Sequence, residues 1–136
     1  MGTPLQFIDH FSQVKPYISQ GTITKGMVVV RGTLPMTVKP PTGSGADDIV
    51  GVALEDATSG QNVSVAGAGA IVPVVAGAAV AINAKLMIGG ATGKVITLVA
   101  AANPGAPMCG VALEAAAADG DKIGMEIRFE HISNAT

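Results

Sequence analysis

The sequence is poor in the residues from which covalent staples and metal sites are built. It contains one cysteine, which excludes an intramolecular disulfide and is compatible with a reducing compartment or with assembly inside a cell. The two histidines, His10 and His131, stand at opposite ends of the chain without a ligand partner at metal-binding spacing. No metal or other cofactor is therefore predicted, and both histidines are interpreted as exposed or partly exposed.

Charge and aromatic residues are also scarce. Eight basic and ten acidic residues give a net charge of −2, without the basic stripe expected of a nucleic-acid-binding protein. Aromatic residues make up 3% of the chain and tryptophan is absent, so an aromatic-lined ligand pocket is not expected. The N-terminal residues lack a basic segment followed by an apolar run, and no signal peptide is predicted.

What the chain has in abundance is small apolar residues, mainly Ala, Val and Gly, and 49% of all residues are hydrophobic. A surface with few charges and many small apolar side chains predicts that part of it is covered by another subunit. The length of 136 residues allows one domain or two very small ones.

The uncharged segment at residues 66–82, AGAGAIVPVVAGAAVAI, approaches the length of a membrane span. It contains Pro73 at its middle and three glycines, and no basic cluster flanks it. These features favour two short strands around a turn, and association with a membrane is not predicted.

A five-residue repeat gives the main internal indication of architecture. The letters GVALE occur at residues 51–55 and again at 110–114, an offset of 59 (110 − 51). Applied without gaps, this offset pairs ITKGMVVV at 23–30 with INAKLMIG at 82–89, and one extra residue follows in the second copy. The pattern predicts an N-terminal arm (1–20) and a β-domain (21–136) made of two repeats at about 23–65 and 82–125.

The hydrophobic period in these repeats is two, which is typical of strands. In KIGMEIRFE, residues 122–130, apolar side chains alternate with polar residues or glycine. Two copies predict a mainly β fold, a small barrel or sandwich of roughly eight to ten short strands. A single helical turn is expected at 114–120, and a short amphipathic helix including Phe11 and Val14 is expected before Pro16.

No constellation of catalytic residues is found. Glu55 and Glu114 are related by the repeat and could form an acid–base pair, but each is better interpreted as closing its strand. Cys109 takes the place of Val50 in the first copy, which favours a small core side chain over a nucleophile. The glycine-rich GSGADD (43–48) and GGATGK (89–94) are interpreted as turns, because the second lacks the spacing of a phosphate-binding loop.

The order and spacing of these segments resemble the small phage capsid cement proteins, a family long described as a domain of unknown function. The resemblance covers residues 23–129 and includes IVGVALEDATSGQNVSV, GAGAIVPVVAGAAVAINAKLMIGGATGKV and CGVALEAAAADGDKIGMEIRF. The chain departs from the pattern at Asn83, Ala84 and Lys85, where the family usually has a Lys-Gly or Ala-Gly turn. Residues 1–20 lie outside it.

This resemblance implies a non-enzymatic virion protein that binds the outer surface of an icosahedral head and stabilises it. It further implies a homotrimer at three-fold or quasi-three-fold sites, with the major capsid protein as the other partner. The arm carries three of the four aromatic residues, so we expect Phe7, Phe11 and Tyr17 to contact the capsid or a neighbouring subunit.

Three alternatives remain at this stage. The first is a β-module that binds the host surface or a carbohydrate, which would need clustered exposed aromatics. The second is a small hydrolase that uses Glu55 and Glu114, and the third is a membrane protein built on residues 66–82.

Overall fold

Ten short strands, without a helix, make up the part of the chain that the computed structural model describes, residues 13–42, 48–99 and 107–131. The strands are β1 (Val14–Ser19), β2 (Val28–Arg31), β3 (Thr37–Lys39), β4 (Ile49–Ala53), β5 (Asn62–Ala66), β6 (Ile71–Val75), β7 (Lys85–Ile88), β8 (Val95–Thr97), β9 (Pro107–Ala112) and β10 (Lys122–His131). No helix within these ranges is long and apolar enough to cross a membrane.

The strands form two five-stranded units with the same strand order. In the first unit, β1-β3-β2-β4-β5 close into a barrel in which β1 is antiparallel to β5 and parallel to β3. The second unit has the order β6-β10-β9-β7-β8. A parallel bridge between Ala76 and Val95 joins its two edges at the place where β1 meets β3 in the first unit. The prediction of a mainly β fold built from two pseudo-repeats is confirmed.

Strand register gives a more accurate correspondence than the five-residue repeat alone. Val29 of β2 pairs with Gly51, and Leu86 of β7 pairs with Gly110, so Val29 corresponds to Leu86 and not to Ile88. The offset is therefore 57 at β2 and 59 at β4, and the ungapped pairing of residues 23–30 with 82–89 is wrong by two positions. The second unit has two extra residues between β7 and β9, which the ungapped comparison could not reveal.

The same correspondence includes β1, which lies within residues 1–20. Pro16 pairs with Ser64 of β5, and Pro73 pairs with Gly124 of β10, so β1 and β6 occupy equivalent positions at an offset of 57. The expected helix is wrong at Val14, which pairs with Ala66 in the barrel wall. The rest of that helix lies outside the described residues.

The helical turn expected at 114–120 is also not formed. Ala116 instead makes an antiparallel bridge with Val80, as Ala57 does with Ile23 in the first unit. Backbone pairing across the barrel outweighs the helix propensity of a short alanine run, which is too short to be stable alone.

Each barrel is filled by seven side chains at equivalent positions. The first interior contains Ile23, Val29, Val38, Ala53, Ala57, Val63 and Val65. The second contains their counterparts Val80, Leu86, Val95, Ala112, Ala116, Ile123 and Met125. The second interior is continuous with buried residues of the first unit, among them Val28, Val30, Val52 and Ala66. The two units therefore share one apolar core.

Strand β2 is buried on both of its faces. Val29 points into the first barrel, while Val28 and Val30 pack in the cluster that contains the second interior. This explains why the segment MVVV reads as a continuous apolar run rather than an alternating one.

The glycine that opens each GVALE segment is required by close packing of neighbouring strands. A β-carbon on Gly51 would collide with the carbonyl of Ala66, and one on Gly110 would lie 2.6 Å from the carbonyl oxygen of Glu126. Both contacts are with backbone, which cannot move aside without breaking the sheet. The repeated glycine is therefore a structural requirement of the β4–β5 and β9–β10 pairs.

We predict that Gly110→Ala lowers the free energy of unfolding by about 1–3 kcal/mol, the usual cost of overpacking. Gly67→Ala is the matched control, because a β-carbon there would have only the Gln13 carbonyl oxygen nearby, at 3.8 Å. Urea unfolding of both variants measures the difference. Equal stability of the two variants would contradict the proposed role of close strand packing.

Candidate interaction surface

The two repeat-related carboxylates bind backbone groups of their own units. Glu55 Oε2 accepts a hydrogen bond of 2.8 Å from the Ser64 N–H, and Glu114 Oε1 accepts one of 2.7 Å from the Gly124 N–H. Ser64 and Gly124 are equivalent residues of β5 and β10. Each carboxylate thus holds the end of its GVALE strand to the last strand of the unit, in agreement with the strand-closing interpretation.

The single cysteine is a core residue. Cys109 is buried in the shared core and has no disulfide partner. Burial raises the pKa of the Cys109 thiol to about 12, so the reactive thiolate is suppressed at neutral pH. These properties agree with the interpretation of Cys109 as a small apolar side chain.

The glycine-rich segment at residues 89–94 is the turn between β7 and β8. The Gly89 N–H donates to the Lys94 carbonyl oxygen at 2.7 Å, and Lys94 Nζ lies 2.9 Å from Asp119 Oδ1. This lysine is held by a carboxylate of its own unit. Among the residues that the structure describes, no group of three or more His, Cys, Asp or Glu could hold a metal ion.

Of the three contact residues predicted from the sequence, the structure describes only Tyr17. Phe7 and Phe11 lie outside the described residues, as do His10 and most of GSGADD. Tyr17 lies on β1, is partly buried and packs against the interior cluster of the first barrel. Its role as a contact to capsid or neighbour stays a prediction.

The first unit exposes a group of apolar residues, which we call the first-unit stripe. It consists of Val14, Pro16 and Ile18 on the outer face of β1, with Leu34 and Met36 in the turn before β3. The two parts are joined by a hydrogen bond of 2.9 Å from the Ile18 N–H to the Met36 carbonyl oxygen. Met36 is 63% exposed and Ile18 is 40% exposed. Exposed apolar residues grouped in this way are typical of an interaction surface.

Met36 adopts a backbone conformation that glycine usually occupies. Its φ is +58°, and its counterpart in the second unit is Gly93, with a φ of +74°. A non-glycine residue in this region carries a conformational cost, which is tolerated where surrounding contacts or function maintain it. Methionine rather than glycine at this exposed turn adds apolar surface to the first-unit stripe.

In the second unit the first unit covers only part of the equivalent surface. Gly93 is buried and Val75 is half-buried there, whereas Ile71 and Pro73 remain exposed. The Val28 N–H donates to the Gly93 carbonyl oxygen at 3.0 Å, and Met27 lies directly against Gly93. Pro73 and Val75 face Gly26 across a narrow cleft between the units. Residues 25–28 of the first unit contact β6 and the β7–β8 turn of the second unit. We call this contact the unit interface.

Comparisons with known proteins agree with this architecture. A family model described as phage cement protein matches residues 12–127. Among solved structures, the crystal structure of the head fiber gp8.5 N base in bacteriophage phi29 has a TM-score of 0.65 and 16% sequence identity. The match covers 89% of this chain and 98% of that chain, and at this identity it shows the shared fold. A comparison with curated proteins gave no match.

We predict that Glu114→Ala lowers the free energy of unfolding by about 1 kcal/mol, because the Gly124 N–H loses its acceptor. Glu114→Gln is the matched control, since its side-chain oxygen can still accept that hydrogen bond. Chemical denaturation measures both variants. A glutamine variant as unstable as the alanine variant would contradict a role through this hydrogen bond.

Proposed function

The chain belongs to the phage cement protein family, and from this premise we propose that it binds the outer surface of the phage head and stabilises it. As a member of this family it is a structural protein of the virion, associated with the capsid. The finer proposal is a homotrimer at three-fold or quasi-three-fold sites that bridges neighbouring copies of the major capsid protein. The observation that carries the proposed binding to the phage head is the family match over residues 12–127.

The structure supports a mechanical role for this chain. The two barrels share one buried core, so a force applied to one unit is transmitted to the other through packed side chains. A rigid body that contacts two capsid subunits resists their separation. Each contact can be modest, because many copies on one head add their contributions.

The groups that first invited an enzymatic interpretation have structural partners. Glu55 and Glu114 accept backbone hydrogen bonds, and Cys109 is buried with its pKa raised. We therefore propose that the protein acts without catalysis. Nucleic acid and membrane are not among its proposed partners.

The test is binding to heads of the phage that encodes the protein, prepared without it. We expect saturable, stoichiometric binding to expanded heads in electron micrographs, and higher resistance of decorated heads to heat. Unexpanded heads are the comparison for a requirement for expansion. Failure to bind expanded heads would overturn the proposed function.

The N-terminal segment is proposed as a further contact. Because β1 is part of the first barrel, a clean test removes only residues 1–12 and leaves Tyr17 in place. If Phe7 and Phe11 contact the capsid or a neighbouring subunit, this deletion weakens head binding or self-association at least tenfold while the thermal unfolding midpoint stays unchanged. The double variant Phe7→Ser and Phe11→Ser should reproduce the loss. Unchanged binding and self-association in both variants would contradict a contact role.

A further inference from the structure

The two units differ in what covers one equivalent surface. Pro73, Val75 and Gly93 of the second unit are contacted by the first unit at the unit interface. Their counterparts at an offset of 57 are Pro16, Ile18 and Met36, which belong to the exposed first-unit stripe. One chain thus contains a partly covered version of this surface, at Val75 and Gly93, and an uncovered version, at Ile18 and Met36.

The covering segment also exists twice. Residues 25–28 form the turn that packs on the second unit, and residues 82–85 are their counterparts. Gly26 and Asn83 both have positive φ, +87° and +70°, so the two turns share one backbone shape. Asparagine is one of the few residues that adopt this conformation readily. The departure from the family pattern at Asn83 therefore keeps the turn, and Ile82 at its tip is 58% exposed.

We propose that a second copy of this chain docks on the first-unit stripe through its turn at residues 82–85, repeating the unit interface between copies. The covered part of the equivalent surface inside each chain, at Val75 and Gly93, is the template for this contact. The inference rests on the proposed function only in placing the contact within the homotrimer. It is a head-to-tail contact, in which each copy offers its second unit to the first unit of the next.

Side-chain sizes on the first-unit stripe and on the turn at residues 82–85 are complementary. Inside the chain, the large Met27 packs on Gly93, which leaves no room for a β-carbon there. The counterparts are reversed in size, with the small Ala84 on the turn and the large Met36 on the stripe. A contact between copies would therefore place Met36 against Ala84, which conserves the packed volume.

The two equivalent contacts also differ in the charge of the residues that line them. Inside the chain, Lys25 and Lys122 line the cleft at the unit interface. Their counterparts are Ile82 and Asn62, so a contact between copies would place an isoleucine beside Ile18 and the uncharged Asn62. Lys85, the counterpart of Val28, is the charged residue of the turn at residues 82–85. An apolar centre with few charges is typical of contacts between identical subunits.

Cross-linking tests the contact directly. In Ile18→Cys with Ile82→Cys, a short bismaleimide should join copies covalently, and denaturing gels should show dimers and trimers. The matched control is Lys25→Cys with Val75→Cys, whose equivalent contact lies within one chain and should give no such products. Cys109 is buried with its thiol pKa raised, so it should not react in the native protein.

The reaction is run in solution and on decorated heads, which separates this inference from the proposed function. Products in either setting support the contact, even if head binding fails. Head binding without products in either setting overturns the contact and leaves the proposed function standing.

A second measurement does not depend on cross-linking. Ile82→Asp should reduce the self-association constant at least tenfold, measured by sedimentation in solution or as copies bound together on heads. Ile71→Asp is the control, since Ile71 is exposed and lies on β6, three strands across the sheet from Lys85 of the turn at 82–85. Loss of head binding by Ile18→Asp with unchanged self-association would assign the stripe to the capsid and overturn the proposal.

Discussion

Burial of β2 on both faces is the constraint on which the two-barrel structure depends. A domain of about 60 residues buries only about 60% of the surface of its unfolded chain and is marginally stable. Seven interior side chains, two of them alanines, give each barrel a small core of its own. Because Val28 and Val30 pack in the cluster with the second interior while Val29 fills the first, folding of one barrel completes the core of the other. The units are stable as a pair.

The parts of this fold that the sequence predicts are those fixed by backbone geometry. GVALE repeats because Gly51 and Gly110 admit a crossing backbone, and because Glu55 and Glu114 hold the adjacent strand. Alternation in β10 likewise follows from one buried face. These requirements act on single positions, so they leave the same letters in both copies.

The parts of the fold that the sequence does not predict are those in which many different residues meet the same structural requirement. β1 and β6 share little besides Pro16 and Pro73, since any apolar strand can close the barrel, so the sequence alone places β1 within the N-terminal arm. The two-residue shift between units escaped for a similar reason, because a run of Val, Met and Ile matches another such run in several registers. For the first-unit stripe no single position gave a signal. Only strand register places Met36 at the position where the second unit has Gly93.

Tandem duplication bears on how the proposed contact between copies could close into a ring. A head-to-tail contact closes into a ring only if the rotation from one unit to the next is right, and otherwise it grows into a filament. When two equivalent units lie in one chain, the first such step is fixed by the shared core, before any second copy is met. A contact between copies that repeats the unit interface inherits the same rotation. In the proposed homotrimer, three copies would alternate intrachain and interchain steps around six five-stranded units. In the proposed contact, the difference between Met36 and Gly93 would keep the two kinds of step from exchanging partners, because the large Met27 does not fit against the large Met36.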